Sequence, residues 1–317
     1  MDFVHAKSPC CRGDVRRFGN RRRQCALCHH TWRIRQKKRG RKRKRGTKRL
    51  VQKFLNRELP SLRCLARLKG VGREYTRRKM KRSLDCYLAT ARPPYLLLPR
   101  RGPLIMIADA MWHWIGREKW TVYVILLKPL CSDLAIIMPV VLHPGHENEA
   151  GWSRALSSVG ENRLRRVGAL VSDGVRTLGR LATAYGWHIQ RCHFHLLASI
   201  QNYATTGPRS RHRIFATTLI AMAKELITTH DEQRLAEISE SLRALLIHLR
   251  SRGLRRVITG LLRDLPQFRT YLTYPELNLP STSNAVESTV QRIRDLLYYT
   301  RGFNTRSSLE QWIRALF

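Results

Sequence analysis

From Leu104 the chain repeats one pattern: a short, continuous apolar run, a polar break, then another run or a helix-period segment. "LIMIADA" opens the series, and "TVYVILL" and "LAIIMPVVL" follow at hairpin distance. Next come "NEAGWSRALSSV" with helical periodicity, the apolar "VGALVSDGV", the helical "RTLGRLATAYG" closed by Gly186, and "WHIQRCHFH". Runs that are apolar at consecutive positions, not alternate ones, belong to strands covered on both faces. The pattern therefore predicts an α/β domain: three antiparallel neighbours, a helix, a strand, a helix and a fifth strand. The most apolar window, residues 121–141, contains Lys128, Pro129 and Asp133, so it reads as two strands and a turn, with no membrane span. "MDFVHAKSPC" has no apolar run of the kind that opens a signal peptide.

Two of the apolar runs end on acids, Asp109 and Asp173. A third acid, Glu287, falls in the first turns of a helix that "LPSTSNAVESTVQRIRDLL" starts near Ser283 and Asn284. Each has an ordinary reading: a strand end, an Asp-Gly turn, and a helix N-terminal acid favoured by the dipole. Together they supply the hard oxygen donors that hold two Mg2+ or Mn2+ ions for phosphodiester chemistry. Between Glu287's helix and the fifth strand, Leu235, Ile238, Leu242, Leu245, Leu246 and Leu249 keep one helical face, and "IFATTLIAMAKELI" does likewise. Residues 197–272 are therefore expected to be an all-helical insertion.

The N-terminal third differs in charge. Up to Arg101 the chain carries 33 Lys and Arg against 5 Asp and Glu, which is +28 of the total +38. A folded chain with so basic an end calls for a polyanion, nucleic acid first. Residues 33–49, "RIRQKKRGRKRKRGTKR", are nearly pure charge and form a basic arm whose Arg39, Arg41, Lys42 and Arg43 would bind phosphates without regard to sequence. Residues 50–90 read as helix, Gly-containing turn, helix, the helix-turn-helix layout, with Arg73, Arg77, Arg78 and Lys81 on the reading helix. The Pro-rich segment 91–103 follows as a linker. Residues 1–32 carry Cys25-x-x-Cys28 and an earlier half, Ser8-Pro9-Cys10-Cys11, with Ser where a zinc ribbon usually has its first Cys. Cys11 fits as third ligand; the fourth is Cys10, His5 or nothing. So short a module has almost no core, and bound Zn2+ would hold it together.

"QRCHFHLL" concentrates Cys192, His193 and His195. It is half of a zinc site or the end of a strand. No Cys/His pair follows before Glu287, only lone His212, His230 and His248, so a complete zinc site is not expected here. Cys192 and His195 are expected at the edge of the acidic pocket, with His193 turned the other way. Of Trp112, Trp114 and Trp120, at least two are expected in the core, the alternative being stacking on unpaired bases. His143 and His146 are expected in a surface loop.

The block from "ENEAGWSRAL" through "LRRVGALVSDGVRTLGRLATAYGWHIQRCHFHLLASIQN" resembles the core of Mutator-like DDE transposases. These have a Trp-bearing helix, a strand ending Ser-Asp-Gly, a helix, and a Cys-x-x-His strand end. Here the positions are Trp152, Ser172-Asp173-Gly174 and Cys192 to His195; "TSNAVES" supplies Asn284 and Glu287, and the first acid falls on Asp109. The resemblance covers roughly residues 104–317. "DAMWHWIG" after Asp109 departs from it, because smaller polar residues are usual there. The resemblance implies an RNase H-like catalytic domain (104–196 and 273–317) interrupted by the helical insertion and preceded by the zinc ribbon and helix-turn-helix. It also implies catalysis by Asp109, Asp173 and Glu287, with Cys192, His195 and Asn284 supporting the pocket. The implied activity is cleavage and joining of double-stranded DNA at transposon terminal inverted repeats and target sites. A homo-oligomer on DNA is expected, in the cytoplasm at the nucleoid, with no membrane partner. The competing readings are a catalytically idle, domesticated transposase that regulates by binding DNA, and a structure-specific nuclease.

Overall fold

A computed structural model describes residues 8, 10–18, 22–33, 46–59, 61–130, 132–205 and 212–317. Arg39, Arg41, Lys42 and Arg43 of the basic arm, and His5, lie outside the described residues. The chain divides into two compact units, 1–47 and 48–317.

In the first unit, β1 (Val15–Arg17), β2 (Arg22–Cys25) and β3 (Thr31–Arg33) form a small antiparallel sheet in that order. Cys25 is its one buried strand residue with a described side chain. Strands this short and this polar bury too little to stand alone.

The second unit begins with α1 (Gly46–Leu55), α2 (Leu62–Leu68) and α3 (Arg73–Leu88). Ser61 caps α2 by accepting the Cys64 N–H at 3.3 Å. The turn to α3 uses Gly70 at φ +58°, a left-handed position that costs glycine little. A 3-10 turn, Pro94–Leu97, leads to β4 (Leu104–Ile115), β5 (Glu118–Pro129), β6 (Ile136–Ile137) and β7 (Val141–Pro144). Then follow α4 (Glu149–Val159), α5 (Glu161–Leu164), β8 (Val167–Ser172), α6 (Arg176–Ala184) and β9 (His188–Arg191). The remainder is helical: α7 (His193–Thr205), α8 (His212–Thr228), α9 (Glu232–His248), α10 (Arg252–Arg263), α11 (Leu265–Phe268), α12 (Thr270–Thr273), α13 (Asn284–Thr300) and α14 (Arg306–Leu316).

The sheet is mixed, in the order β6-β5-β4-β8-β9, with β7 also on β5. β4 and β5 form a long antiparallel hairpin; β4, β8 and β9 run parallel. Both faces are covered, as the continuous apolar runs require. Leu104, Met106 and Ala108 of β4 point into one core with Trp152, Leu156, Leu178 and Ala182. Ile105, Ile107 and Met111 point into the other with Val286, Val290, Ile293 and Ile313. Helices α7 to α10 enclose a third core, which includes Ile200, Leu219, Leu242 and Ile258. A fourth joins α1 and α3 to α13 and α14 through Val51, Phe54, Met80, Leu84, Leu296 and Trp312. The helix-turn-helix segment thus shares a core with the last two helices.

Three details depart from the expected elements. "LAIIMPVVL" is two short strands, because Pro139 has no N–H for the ladder; both halves pair with β5. The fifth strand stops at Arg191, and His193 already begins α7, whose Leu196 and Ile200 are drawn into the helical core. Trp112 and Trp114 are exposed at 59% and 52%, so the expectation of at least two core tryptophans fails. Their alternation places them on the α4 face of β4, beyond the cover α4 provides, with the Lys119 ammonium 4.7 Å from the Trp112 ring.

Candidate functional site

The register of β4 on β8 pairs Ile107 with Val171. Two residues further along each strand are Asp109 and Asp173. They are therefore lateral neighbours where β8 ends, on adjacent parallel strands about 4.8 Å apart. Asp109 is not at a strand end, as the sequence suggested: β4 continues to Ile115 within its hairpin with β5, and only the parallel pairing stops. Alternation puts Asp109 on the face of Ile107 and Met111, the face covered by α13. Glu287 sits in the first turn of α13, near enough for its charge to add to the rise of the Asp109 pKa.

The electrostatics register this convergence. Burial pushes the Asp109 carboxyl up, the Asp173 charge pushes it further, and a 2.8 Å hydrogen bond from the Ala110 N–H offsets part of this. Asp173 accepts the Val175 N–H at 3.1 Å, and Gly174 turns at φ +92°. The turn needs glycine for a second reason. A Cβ there would lie 2.1 Å from Nε of Arg191, whose guanidinium also donates to the Asp173 carbonyl at 3.3 Å and to Asp264 at 2.6 Å.

A fourth acid, Glu147, escaped the sequence reading. It immediately precedes Asn148, the cap of α4, and accepts the Trp152 indole N–H at 2.7 Å. The residue is exposed overall, but its Oε1 end is tucked against the indole. Burial of that end raises its pKa, and the charges of Asp173 and Asp109 raise it further. The available signal was an acid five residues before the Trp of the Trp-bearing helix. His146 lies exposed in the same loop, whereas His143, expected there too, is half-buried in β7 and pairs with Thr121 of β5.

Cys192, His195, Ser283 and Glu287 meet beside this pocket. The Ser283 hydroxyl donates to Glu287 Oε1 at 2.6 Å and lies 3.1 Å from Cys192 Sγ. His195 Nδ1 is 3.5 Å from Glu287 Oε1. The hydrogen bond to Cys192 dominates burial and lifts the His195 pKa to about 9. Burial opposes a Cys192 thiolate, but hydrogen bonds from His195 and Ser283 outweigh it and lower the thiol's pKa. His193 faces elsewhere: it is buried, with Nε2 2.7 Å from the Phe268 carbonyl oxygen. Asn284 is exposed at the start of α13.

Among the described residues, two sets of metal-ligating atoms lie within 4.8 Å of one another: Cys10, Cys11, Cys25 and Cys28, and Cys192, His195 and Glu287. Asp109 and Asp173 belong to neither set. In the cysteine set, Cys10 to Cys28 and Cys11 to Cys25 are each 3.2 Å, and Cys11 to Cys28 is 3.5 Å. These are far too long for disulfides and close to the edges of a ZnS4 tetrahedron. The four cysteines can therefore hold zinc, and Cys10 supplies the fourth corner left open by the sequence. The Ser8 hydroxyl lies beside the set, 3.9 Å from Cys11 Sγ, and its hydrogen bond is the main influence that draws the Cys25 pKa down to about 5.

A groove of about 1370 Å³ leads from Asp173 and His195 along α6 and α10, lined by Arg176, Arg180, Arg252, Arg255, Arg256 and Arg263. On α10 these arginines lie opposite Leu254, Ile258 and Leu261, which enter the helical core. Arg73, Arg77, Arg78 and Lys81 are exposed on α3; Arg77 and Arg78 both pair with Glu74. No described helix is long and apolar enough to cross a membrane. Compared with known proteins, the chain matches no family model and no curated sequence.

Proposed function

We propose that the chain is a DNA transposase of the DDE type, with Asp109, Asp173 and Glu287 as the catalytic acids of an RNase H-like domain. One observation carries the reading: Asp109 and Asp173 stand side by side where two adjacent parallel strands part, and Glu287 reaches the same place from a helix beyond a helical insertion. Counted along the sheet, the strand order is third, second, first, fourth, fifth, with the second antiparallel, and this supports the RNase H-like assignment. The Mutator-like resemblance of the "VSDG" and "CHFH" blocks supports the same family.

The donor set fits Mg2+ or Mn2+. It consists of carboxylates, and the half-buried Asp109 carboxylate is costly without a cation. Two such ions would polarise the phosphodiester and activate water, then a 3′-hydroxyl. The chain's own part is positioning. β4 and β8 fix the spacing of two acids, and the Ser283 hydroxyl orients Glu287 through Oε1. The α10 arginines bind the DNA backbone leading to the pocket. α3 reads the transposon end, the basic arm adds salt-sensitive affinity, and the N-terminal unit holds Zn2+. DNA ends must be brought together, so the working form is an oligomer on DNA.

The test is cleavage of DNA carrying the inverted repeats that flank the gene. The wild type should nick it in Mg2+ or Mn2+, while Asp109→Asn, Asp173→Asn and Glu287→Gln bind it equally and leave it intact. Cleavage by all three variants at the wild-type rate refutes the assignment. Tight binding by a wild type that never cleaves would instead support a DNA-binding regulator.

A further inference from the structure

Counting only cysteines and histidines near "QRCHFHLL" finds half a zinc site. The fold completes it with residues of another type, distant in sequence. Cys192 precedes α7, and His195 lies in that helix's first turn, so the i, i+3 spacing turns both side chains to one side. The start of α13 meets them there. Cys192 Sγ is 3.7 Å from Glu287 Oε1, and His195 Nδ1 is 3.5 Å from the same oxygen. The Ser283 hydroxyl lies 2.6 Å from Glu287 Oε1, 3.1 Å from Cys192 Sγ and 3.5 Å from His195 Nδ1. Four donors thus stand at the corners of an irregular tetrahedron. A regular tetrahedron with edges of about 3.5 Å has its centre about 2.1 Å from every corner, which is the bond length of zinc to nitrogen and oxygen.

We infer that Cys192, His195 and Glu287 form a zinc site, with the Ser283 hydroxyl at its fourth corner, which clamps the start of α7 to the start of α13. Thiolate, imidazole and carboxylate together suit Zn2+ and disfavour Mg2+, which takes hard oxygens and keeps its waters. One thiolate and one carboxylate neutralise the ion, so a neutral complex occupies a place where Cys192 and Ser283 are almost fully buried. The proton shared between the Cys192 thiol and the His195 imidazole is released to solvent on binding, which leaves a thiolate and a neutral imidazole as ligands. Supporting contacts exist: the Ser283 N–H donates to Cys192 Sγ at 3.3 Å, and the Cys192 N–H to the Ser172 carbonyl at 2.8 Å. The neutral hydroxyl is the weakest donor, and its corner is where water would enter.

The site has a consequence for Glu287. Its side-chain hydrogen bonds and ion pair among the described residues are made through Oε1. Zinc on Oε1 leaves Oε2 for the acidic pocket, so one carboxylate spans a structural ion on one side and the Asp109–Asp173 pair on the other.

Zinc content of the purified full-length chain tests this without DNA, so its outcome is separate from that of the transposase reading. About two ions per chain are expected, falling to about one in Cys192→Ser and in His195→Gln, and to about one in the Cys25→Ser, Cys28→Ser double variant. Should the pocket variants misfold, Co2+ titrated into the double variant reports on the same site. A thiolate-to-cobalt charge-transfer band is expected, and Glu287→Gln should weaken Co2+ binding at least about tenfold. A wild-type count of about one that Cys192→Ser leaves unchanged, a count of two unmoved by either pocket variant, or a double variant without the cobalt band overturns the proposal.

Discussion

The two units are held together by different means. Residues 48–317 have four apolar cores and a sheet buried on both faces. The described part of residues 1–47 has three short strands and four cysteine sulfurs, of which only Cys25 is buried. One unit can fold on burial alone, at roughly 1.5–3 kcal/mol per large side chain. The described part of the other has nothing comparable, and its four sulfurs stand where a zinc ion could cross-link it. The side chains divide in a similar way: four clustered thiols where there is no core, and carboxylates spaced by a rigid sheet with the buried thiol of Cys192 beside them.

The largest expected effect separates chemistry from stability. Asp173→Asn should lower DNA cleavage at least about a thousandfold, with thermal stability and DNA affinity near wild type. A proportional loss of folding would place Asp173 in the scaffold. Next, Cys25→Ser should abolish the small sheet of β1 to β3, while the main unfolding transition of residues 48–317 moves by no more than a degree or two. A collapse of both transitions would remove the distinction between a metal-held and a core-held unit.

Core changes should act only on the larger unit. Trp152 is buried against Tyr123, ring centres 4.9 Å apart, and Trp152→Ala should cost about 3–5 kcal/mol in denaturant unfolding. Trp152→Phe keeps most of the packing but loses the N–H to Glu147, and should cost less, about 1–2 kcal/mol.

The smallest effect has the opposite sign. Asp109→Asn should stabilise the metal-free protein by about 1 kcal/mol, because it removes a half-buried charge while abolishing cleavage. Folding raises the pKa of Asp109 and of Glu147. Their favourable contribution is therefore complete below the unfolded carboxylate range, near 4, and is lost as pH rises through the folded values. Metal-free protein should lose melting temperature as pH rises from about 4 toward neutrality. Saturating Mg2+ should flatten that slope, and Asp109→Asn should reduce it. A slope unaffected by both would mean that these carboxyls are solvated.

Much of this was legible because it is local. Apolar runs such as "LIMIADA" and "VGALVS", bounded by turn residues, favour buried strands, and helical periods near Leu235 to Leu249 favour a helix. Asp109 and Asp173 stood out in the same runs, although the runs misplaced Asp109 at a strand end when it lies inside the β4–β5 hairpin. What stayed hidden is non-local. Glu287 meets Cys192 across 95 positions, a contact that no spacing rule anticipates. Glu147 looked like loop polarity because its partner, the Trp152 indole, lies in the following helix. Trp112 and Trp114 looked like core because large aromatics usually are; their exposure depends on how far α4 extends over β4.

The central claim is that Asp109 and Asp173 are held in register to bind divalent ions. Anomalous diffraction from crystals of the full chain with saturating Mn2+ tests it most directly. Manganese is expected between the Asp109 and Asp173 carboxylates, within reach of Glu287 Oε2, and should be lost in Asp109→Asn. Crystals with manganese elsewhere and none between those two acids would contradict it.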